Sequence, residues 1–355
     1  MNDASVSEGA VGVSEASGGG AEGASGADAD ASATVVASGA EAQAGPARSP
    51  ETTVVVTGAT SGLGRAAAEA LVRAPHLTVV VAARDPRRGE RVAAELNEAA
   101  IATARAVALP LDLASLDSVR AFPGALDRAG LPPLRAVAAN AGMQRTDRRH
   151  VTADGFEETF GTNHLGHFLL IRLLLERLID HGRVVIVSSG THKPQRLRNF
   201  GFPPPRWAPA RVLATPGDGS GQVAYATSKL ANAMTALELS RRIETLRPGA
   251  RIAVHAFDPG LMPATGLAQH YPAPARRAYS RLAPLLTRLP GATTAERSGE
   301  LLAGIAIDHR FDDRPNGRYV EWDGGEGAYS AQARDARAAA ELWRDSEQLV
   351  GLAAS

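Results

Sequence analysis

"TTVVVTGATSGLGRAAAEALVRA", residues 52–74, is the stretch from which the rest of the chain is read. Its first part, "TTVVVTG" (52–58), is a β-branched run closed by glycine, the pattern of a strand buried on both faces. Its last part, "LGRAAAEALVRA" (63–74), is rich in helix formers and is stopped by Pro75. Between them "TGATSGLG" (57–64) places glycines at 58, 62 and 64. Such glycines let the backbone turn tightly and approach a group held at the helix N-terminus, where unpaired N–H donors favour an anion. Glycines close many turns, but in a strand–turn–helix setting this spacing points to a pyrophosphate.

Outward from that unit the pattern alternates. "LTVVVAAR" (77–84) reads as a second strand, followed by the helical "PRRGERVAAELNEAA" (86–100). "ARAVALPLDL" (104–113) and "LRAVAANAG" (134–142) read as third and fourth strands, with a helix over 115–128 between them. A long helix is predicted over about 154–180, and "GRVVIVSS" (182–189) is the fifth strand. Residues 190–221, rich in proline and glycine, read as an inserted loop. A helix over about 222–246 ends at "RPG" (247–249), and "ARIAVHAFDPG" (250–260) is the sixth strand. Pro-broken pieces over 263–290 precede a helix over about 293–307, a seventh strand "GRYVEW" (317–322) and a helical extension over 331–355. Strands that are nearly continuous in apolar residues and alternate with helices form a parallel sheet covered on both faces. The fold class expected is therefore α/β, a doubly wound parallel seven-stranded sheet in a single domain over 51–330, with ligands at the carboxyl ends of the strands.

Composition narrows the function classes. The first 50 residues are mostly Ala, Gly, Ser, Val and acids without periodicity, so they are expected to be a disordered low-complexity tail. They carry a net charge of −6 in a chain that sums to zero, which leaves +6 for residues 51–355. That excess suits an anionic cofactor and is too small and scattered for nucleic acid. No secretory leader and no apolar run of membrane length are read in the sequence, so a cytoplasmic protein is expected. With 0 cysteines, disulfides, thiolate metal sites and cysteine nucleophiles are excluded. His164 and His167 in "NHLGH" lack a suitably spaced carboxylate and are read as structural, so no metal is expected.

Basic residues carry a second signal. Of 38 of them only Lys193 and Lys229 are lysine. In "YATSKLANAM" (225–234) Lys229 stands four residues after Tyr225, so the two share a helix face. A task there needs a compact ammonium rather than a planar fork. An ammonium about 4 Å from a phenol, at an effective dielectric of about 20, contributes roughly 4 kcal/mol, which is about three pKa units. Tyr225 is thereby expected near neutrality, where general acid–base work is most efficient. Arg65 and Arg84 flank the position of a cofactor ribose and favour NADP(H), while Asp85 leaves NAD(H) open. Asp112 in "LDL" is placed to reach an adenine amino group, and Asn140 in "NAG" to brace the strands.

The order TGxxxGxG, DL, NAG, Asn-in-helix, SS, YxxxK, PG resembles that of the short-chain dehydrogenase/reductase superfamily over about 52–325. The resemblance implies a Rossmann-type sheet and a catalytic set of Asn163, Ser189, Tyr225 and Lys229. It also implies cofactor contacts from Gly58, Thr60, Ser61, Gly62, Leu63, Gly64 and Arg65, and from Arg84, Asp112 and Leu113. Further contacts are implied from Asn140, Ala141 and Gly142, from Tyr225 and Lys229, and from Pro259 and Gly260. Asn163, on a locally irregular helix, would hold a water leading protons to Lys229. "AARDPRRGE", "DGFEETFGTNHLGHFLL" and "YATSKLANAM" look like the retinol-dehydrogenase branch. "PGLMPATGL" (259–267) looks like light-dependent protochlorophyllide reductases, which carry a cysteine where this chain has Leu261.

Three functions remain open in the sequence. The leading one is NADP(H)-dependent interconversion of a carbonyl and an alcohol. Aromatic residues at 200, 202, 207, 271 and 279 suggest a bulky lipophilic substrate under a lid at 263–290. The second is carbon–carbon double-bond reduction of the protochlorophyllide type. The third is a non-catalytic NADP(H)-binding module, for which the tyrosine would have no use. A homo-oligomer is compatible with each.

Overall fold

The computed structural model describes residues 51–101, 103–194, 202–262, 291–312 and 316–353. The chain opens with β1 (Thr52–Thr57), α1 (Gly62–Leu71), β2 (Leu77–Ala83), α2 (Pro86–Ala99), β3 (Arg105–Pro110), α3 (Leu116–Arg128) and β4 (Leu134–Ala139). Next come β5 (Asp147–Arg148), α4 (Glu158–Phe160), a π turn (Gly161–Leu165), α5 (Gly166–Leu174) and β6 (Leu178–Val187). Then follow α6 (Ala210–Leu213), β7 (Gly217–Ser220), α7 (Gly221–Leu246) and β8 (Ala253–Phe257). The last elements are α8 (Ala295–Ile307), β9 (Tyr319–Val320), β10 (Glu326–Gly327) and α9 (Ala336–Leu349). The tail expected at 1–50 and the lid expected at 263–290 lie outside the described residues.

The main sheet has the order β10-β9-β8-β6-β4-β1-β2-β3. β1 and β2 are buried along their whole length, as their unbroken apolar runs require when helices cover both faces. One apolar cluster lies under α3, α5, α7 and α9, the other under α1, α2 and α8. Strand order reverses between β1 and β4, so a crevice opens at their carboxyl ends, where "TGATSGLG" and "NAG" both begin.

Four expectations are revised. The seven parallel strands are present, but the sheet has an eighth, β10, paired antiparallel with β9. Its two residues leave a glycine-rich turn and offer no periodic signal. The helix expected over 154–180 is broken: Glu157 caps α4 through its carboxylate, the π turn interrupts it, and β6 already starts at Leu178. The insert at 190–221 is more than a loop, for it contains α6 and β7, and β7 pairs antiparallel with β5. The helical extension is integral to the core, since Trp343 of α9 is buried edge-on against Phe168.

Among the described residues four histidines are buried, and burial pushes His164 down to about 3 and His167, His192 and His255 to about 4. The unfolded chain takes up protons on them near pH 6.5, and the folded chain resists until about 4. Their contribution to stability is therefore complete above neutrality and is lost as pH falls through that window. Glu157 and Asp258, raised by burial, oppose this but are two against four. Thermal melts are expected to show Tm falling steadily from pH 7 to pH 5; a flat Tm would contradict the buried-imidazole account.

Candidate active site

The turn after β1 is fixed by hydrogen bonds to β4. Thr57 Oγ1 accepts the amides of Asn140 and Ala141, each at 2.9 Å, and Asn140 Nδ2 donates to the Thr57 carbonyl at 2.8 Å. Asn140 thus braces the two strands. Gly62 adopts a φ of +54°, which favours glycine, and a Cβ at Gly64 would overlap Asn140 Nδ2 and the Gly58 carbonyl. Ser61 precedes α1 without a side-chain cap, so the first-turn amides keep their donors for another partner. Thr60, Ser61 and Gly62 reach the surface of the crevice, whereas Leu63 faces the core.

The two arginines expected at the ribose differ. Arg84, just past β2, is exposed and makes no ion pair among the described residues. Arg65 is tied to Glu69 at 2.8 Å and Glu95 at 2.5 Å, which corrects its expected role as a free anion ligand. Asp85 is used as the cap of α2. A residue the sequence reading missed is Arg88, one turn into α2, whose guanidinium reaches the Thr60 carbonyl at 3.3 Å. Asp112 accepts the Ala114 amide at 2.9 Å, and Leu113 is buried with its carbonyl against Gly166.

At the carboxyl ends of β4, β6 and β8 the four expected side chains converge. Tyr225 and Lys229 lie on one face of α7, 8% and 3% exposed. Lys229 Nζ donates to the Val187 carbonyl at 3.0 Å and sits 5.7 Å from the Tyr225 ring centre. The Ser189 side chain lies towards the Tyr225 hydroxyl and favours its ionised form. Ser188, the other serine of "VSS", turns away and donates to the Lys229 carbonyl at 2.8 Å. Asn163 stands in the π turn, which supplies the local irregularity on which its water-holding role was conditional. Its Nδ2 donates to Met143 O and Ser228 Oγ, and its Oδ1 accepts Met143 N. A Cβ at Gly142 would lie 3.5 Å from Lys229 Nζ and 3.6 Å from Asn163 Oδ1, so Gly142 leaves room directly over that pair.

His167 joins this group to the glycine turn. Thr57 Oγ1 already accepts two amides, so its proton goes to His167 Nε2 at 2.9 Å. Nδ1–H then donates to the Asn163 carbonyl at 3.0 Å. The structural role read for this histidine is met, and its partner is the π turn itself.

The family model described as short chain dehydrogenase matches residues 52–198. Protochlorophyllide reductase of Pisum sativum is 35% identical over 322 residues, which span 84% of this chain and 78% of the relative. Protochlorophyllide reductase of Avena sativa is 35% identical over 323 residues, 84% of this chain and 100% of the relative. The chain belongs to the short-chain dehydrogenase/reductase family. A solved structure of an uncharacterised protein from Mycobacterium Paratuberculosis is similar as well, with a TM-score of 0.59 and 33% identity, covering 85% of this chain and 94% of that one.

In this short-chain dehydrogenase/reductase the electrostatics of the pair differ from the sequence expectation. Burial raises the Tyr225 phenol above its ordinary range, with Asp258 adding to the effect and the Ser189 side chain opposing it. Burial also lowers Lys229 to about 8, against the pull of Asp258. The ammonium does not bring the phenol towards neutrality because both groups are desolvated together. Phe202 of the insert packs edge-on to Tyr225, ring centres 5.8 Å apart, so the insert roofs the tyrosine. Trp207 packs against the main core, while residues 200, 271 and 279 lie outside the described residues. Pro259 and Gly260 follow β8, and Ser298 Oγ donates to the Pro259 carbonyl at 2.8 Å. Among the described residues no helix is long and apolar enough to cross a membrane.

Proposed function

We propose that this oxidoreductase uses NADP(H) to interconvert a carbonyl and an alcohol on a bulky lipophilic substrate, with Tyr225 as general acid and base. The observation that carries the reading is the convergence of Tyr225, Ser189 and Lys229 at the crevice where α1 presents its uncapped N-terminus. The bound nicotinamide cofactor supplies or accepts the hydride. Gly58, Thr60, Ser61, Gly62 and Gly64 would hold its pyrophosphate, and Arg84 with Arg88 its 2′-phosphate. Asp112 would take the adenine, Lys229 the ribose hydroxyls, and Pro259 with Gly260 the carboxamide. Open first-turn donors and the space that Gly142 leaves over Lys229 fit such a group.

Ser189 donates to the substrate oxygen and fixes it beside Tyr225, which passes its proton to that oxygen in reduction. Asn163 holds Met143 and Ser228 in register beneath the pair. The ring of Phe202 excludes water above the phenol and favours an apolar substrate.

Double-bond reduction is the second reading, favoured by 35% identity with protochlorophyllide reductases along most of the chain. Against it, Leu261 stands where the resemblance implies a cysteine, and the chain has 0 cysteines to supply a thiol proton. NADPH oxidation with aromatic and polycyclic ketones, run beside illuminated protochlorophyllide, separates the two. Turnover of a ketone in the dark supports the first reading; light-dependent loss of protochlorophyllide alone would replace it with the second.

Arg84→Ala is expected to raise KM for NADPH by about tenfold or more and to leave KM for NADH nearly unchanged, because one charge-assisted phosphate contact is lost. Equal effects on both cofactors would remove Arg84 from the 2′-phosphate.

A further inference from the structure

Ser189 lies just beyond β6, which ends at Val187. On one side it is tied down through Ser188, whose amide donates to the Phe257 carbonyl and whose Oγ donates to the Lys229 carbonyl, each at 2.8 Å. On the other side it caps a single 3₁₀ turn, Gly190–His192. Ser189 Oγ accepts the Thr191 amide at 3.3 Å. That bond uses a lone pair and leaves the hydroxyl proton free for another acceptor.

His192 closes this turn twice. Its amide donates to the Ser189 carbonyl at 3.1 Å, and its Nδ1–H donates to the same oxygen at 2.7 Å. The tautomer follows from the far side of the ring, where Nε2 accepts the Ser330 amide at 3.2 Å and so carries no proton. The ring is 0% exposed and lies against Tyr319, with centres 5.1 Å apart. Tyr319 Oη is 3.4 Å from Nδ1 and donates its own proton to Asp258 Oδ2 at 3.1 Å. Asp258 Oδ1 in turn accepts the Gly260 amide at 3.1 Å. One set of contacts thus runs from the serine turn after β6 to the Pro-Gly turn after β8. An imidazole engaged at both nitrogens in a buried, satisfied network is rigid, and so is the carbonyl it grips.

The turn does not need this bond. A 3₁₀ turn is closed by its backbone, and that closure is present here, with the Lys193 amide on the Gly190 carbonyl at 2.9 Å. The extra imidazole donor falls on Ser189, the residue of the turn that the proposed reaction uses. We propose that His192 is a positioning residue: its Nδ1–H, held on the Ser189 carbonyl by a ring anchored at Ser330 and Tyr319, aims the Ser189 hydroxyl at the substrate oxygen. The inference rests on the catalytic reading of Ser189, and part of its test needs no turnover.

Three replacements separate the two nitrogens. His192→Asn keeps a donor at the place of Nδ1, His192→Gln keeps an acceptor at the place of Nε2, and His192→Phe keeps only the ring. Single-turnover reduction of an aromatic ketone by NADPH is expected to slow about tenfold or more in the Phe and Gln variants and to recover in the Asn variant. In a Ser189→Ala background the Phe change should cost less than about twofold, because residues that act as a unit are not additive. A turn that only held the fold together would lose the same factor in both backgrounds. The Thr191 amide, bonded to Ser189 Oγ, reports the position of the hydroxyl without substrate. Its hydrogen exchange should quicken in the Phe variant and slow again in the Asn variant. Unchanged Thr191 exchange, equal rate losses in both backgrounds, or rescue by Gln instead of Asn overturns the proposal. Nitrogen NMR of the imidazoles in the unaltered protein tests it even if no variant folds. His192 must carry its proton on Nδ1 at pH 7, and a ring protonated on Nε2 overturns it. If no ketone is reduced while Thr191 exchange responds as expected, the catalytic reading falls and the positioning of the hydroxyl stands.

Discussion

Tyr225→Phe is expected to lower turnover by about 10²–10⁴-fold, the contribution of a positioned general acid, while NADPH affinity changes little. The substitution removes one oxygen and keeps the ring. That ring packs edge-on against Phe202 and lies on a buried face of α7, so the fold should persist with a Tm close to that of the parent. Ser189 Oγ retains the Thr191 amide at 3.3 Å, so the turn after β6 also keeps its shape. What disappears is the hydroxyl beside Ser189, the proton donor of the proposed reaction. Single-turnover rates and NADPH binding by fluorescence would measure the two effects separately. A rate within a few-fold of the parent would assign the proton to another group, and equal loss of cofactor binding would mean the phenol acts mainly in the cofactor site.

The parallel sheet was legible because its central strands are apolar on both sides. "TTVVVT" and "LTVVVAA" cannot face water, and their alternation with helix formers leaves little choice of topology. Pairing between two-residue segments was not legible, because β5 and β10 contain Asp-Arg and Glu-Gly and are held by neighbours distant in sequence. Nor was the break in the helix after residue 160, although Gly161 and Gly166 mark it in hindsight. A Cβ at Gly166 would overlap the Leu113 carbonyl, a contact 53 positions away in sequence that only the fold reveals.

The site divides in the same way. Asn163, Ser189, Tyr225 and Lys229 could be named because each lies in a short motif, and they converge in the structure. Arg65 was read as a cofactor ligand even though Glu69 stands four residues on, the spacing of a helical ion pair. That signal was available. Its second partner, Glu95, comes from another helix and was not. Arg88 lies in no motif, and its place beside the glycine turn, with its guanidinium at the Thr60 carbonyl, is set by the docking of α2.

Lys229→Arg should show why an arginine-rich chain kept a lysine here. The ammonium is 3% exposed and donates to a Val187 carbonyl that also accepts Asn232 Nδ2 at 3.2 Å. A guanidinium keeps the charge but is wider and projects its donors as a planar fork, so it cannot occupy the same point. A displacement on the order of 1 Å in such a site costs about a hundredfold in rate. Turnover is therefore expected to fall about a hundredfold or more, with weaker NADPH binding as the ribose contact is lost. The pH profile should change as well. Lys229, lowered to about 8, carries its charge below that pH and loses it above, so activity that depends on the ammonium declines on the alkaline side. Arginine stays charged throughout, and the residual rate of the variant should lack that decline. Near-normal turnover without that decline would show that positive charge alone suffices, and the assignment of Lys229 to a shape-specific contact would fall with it.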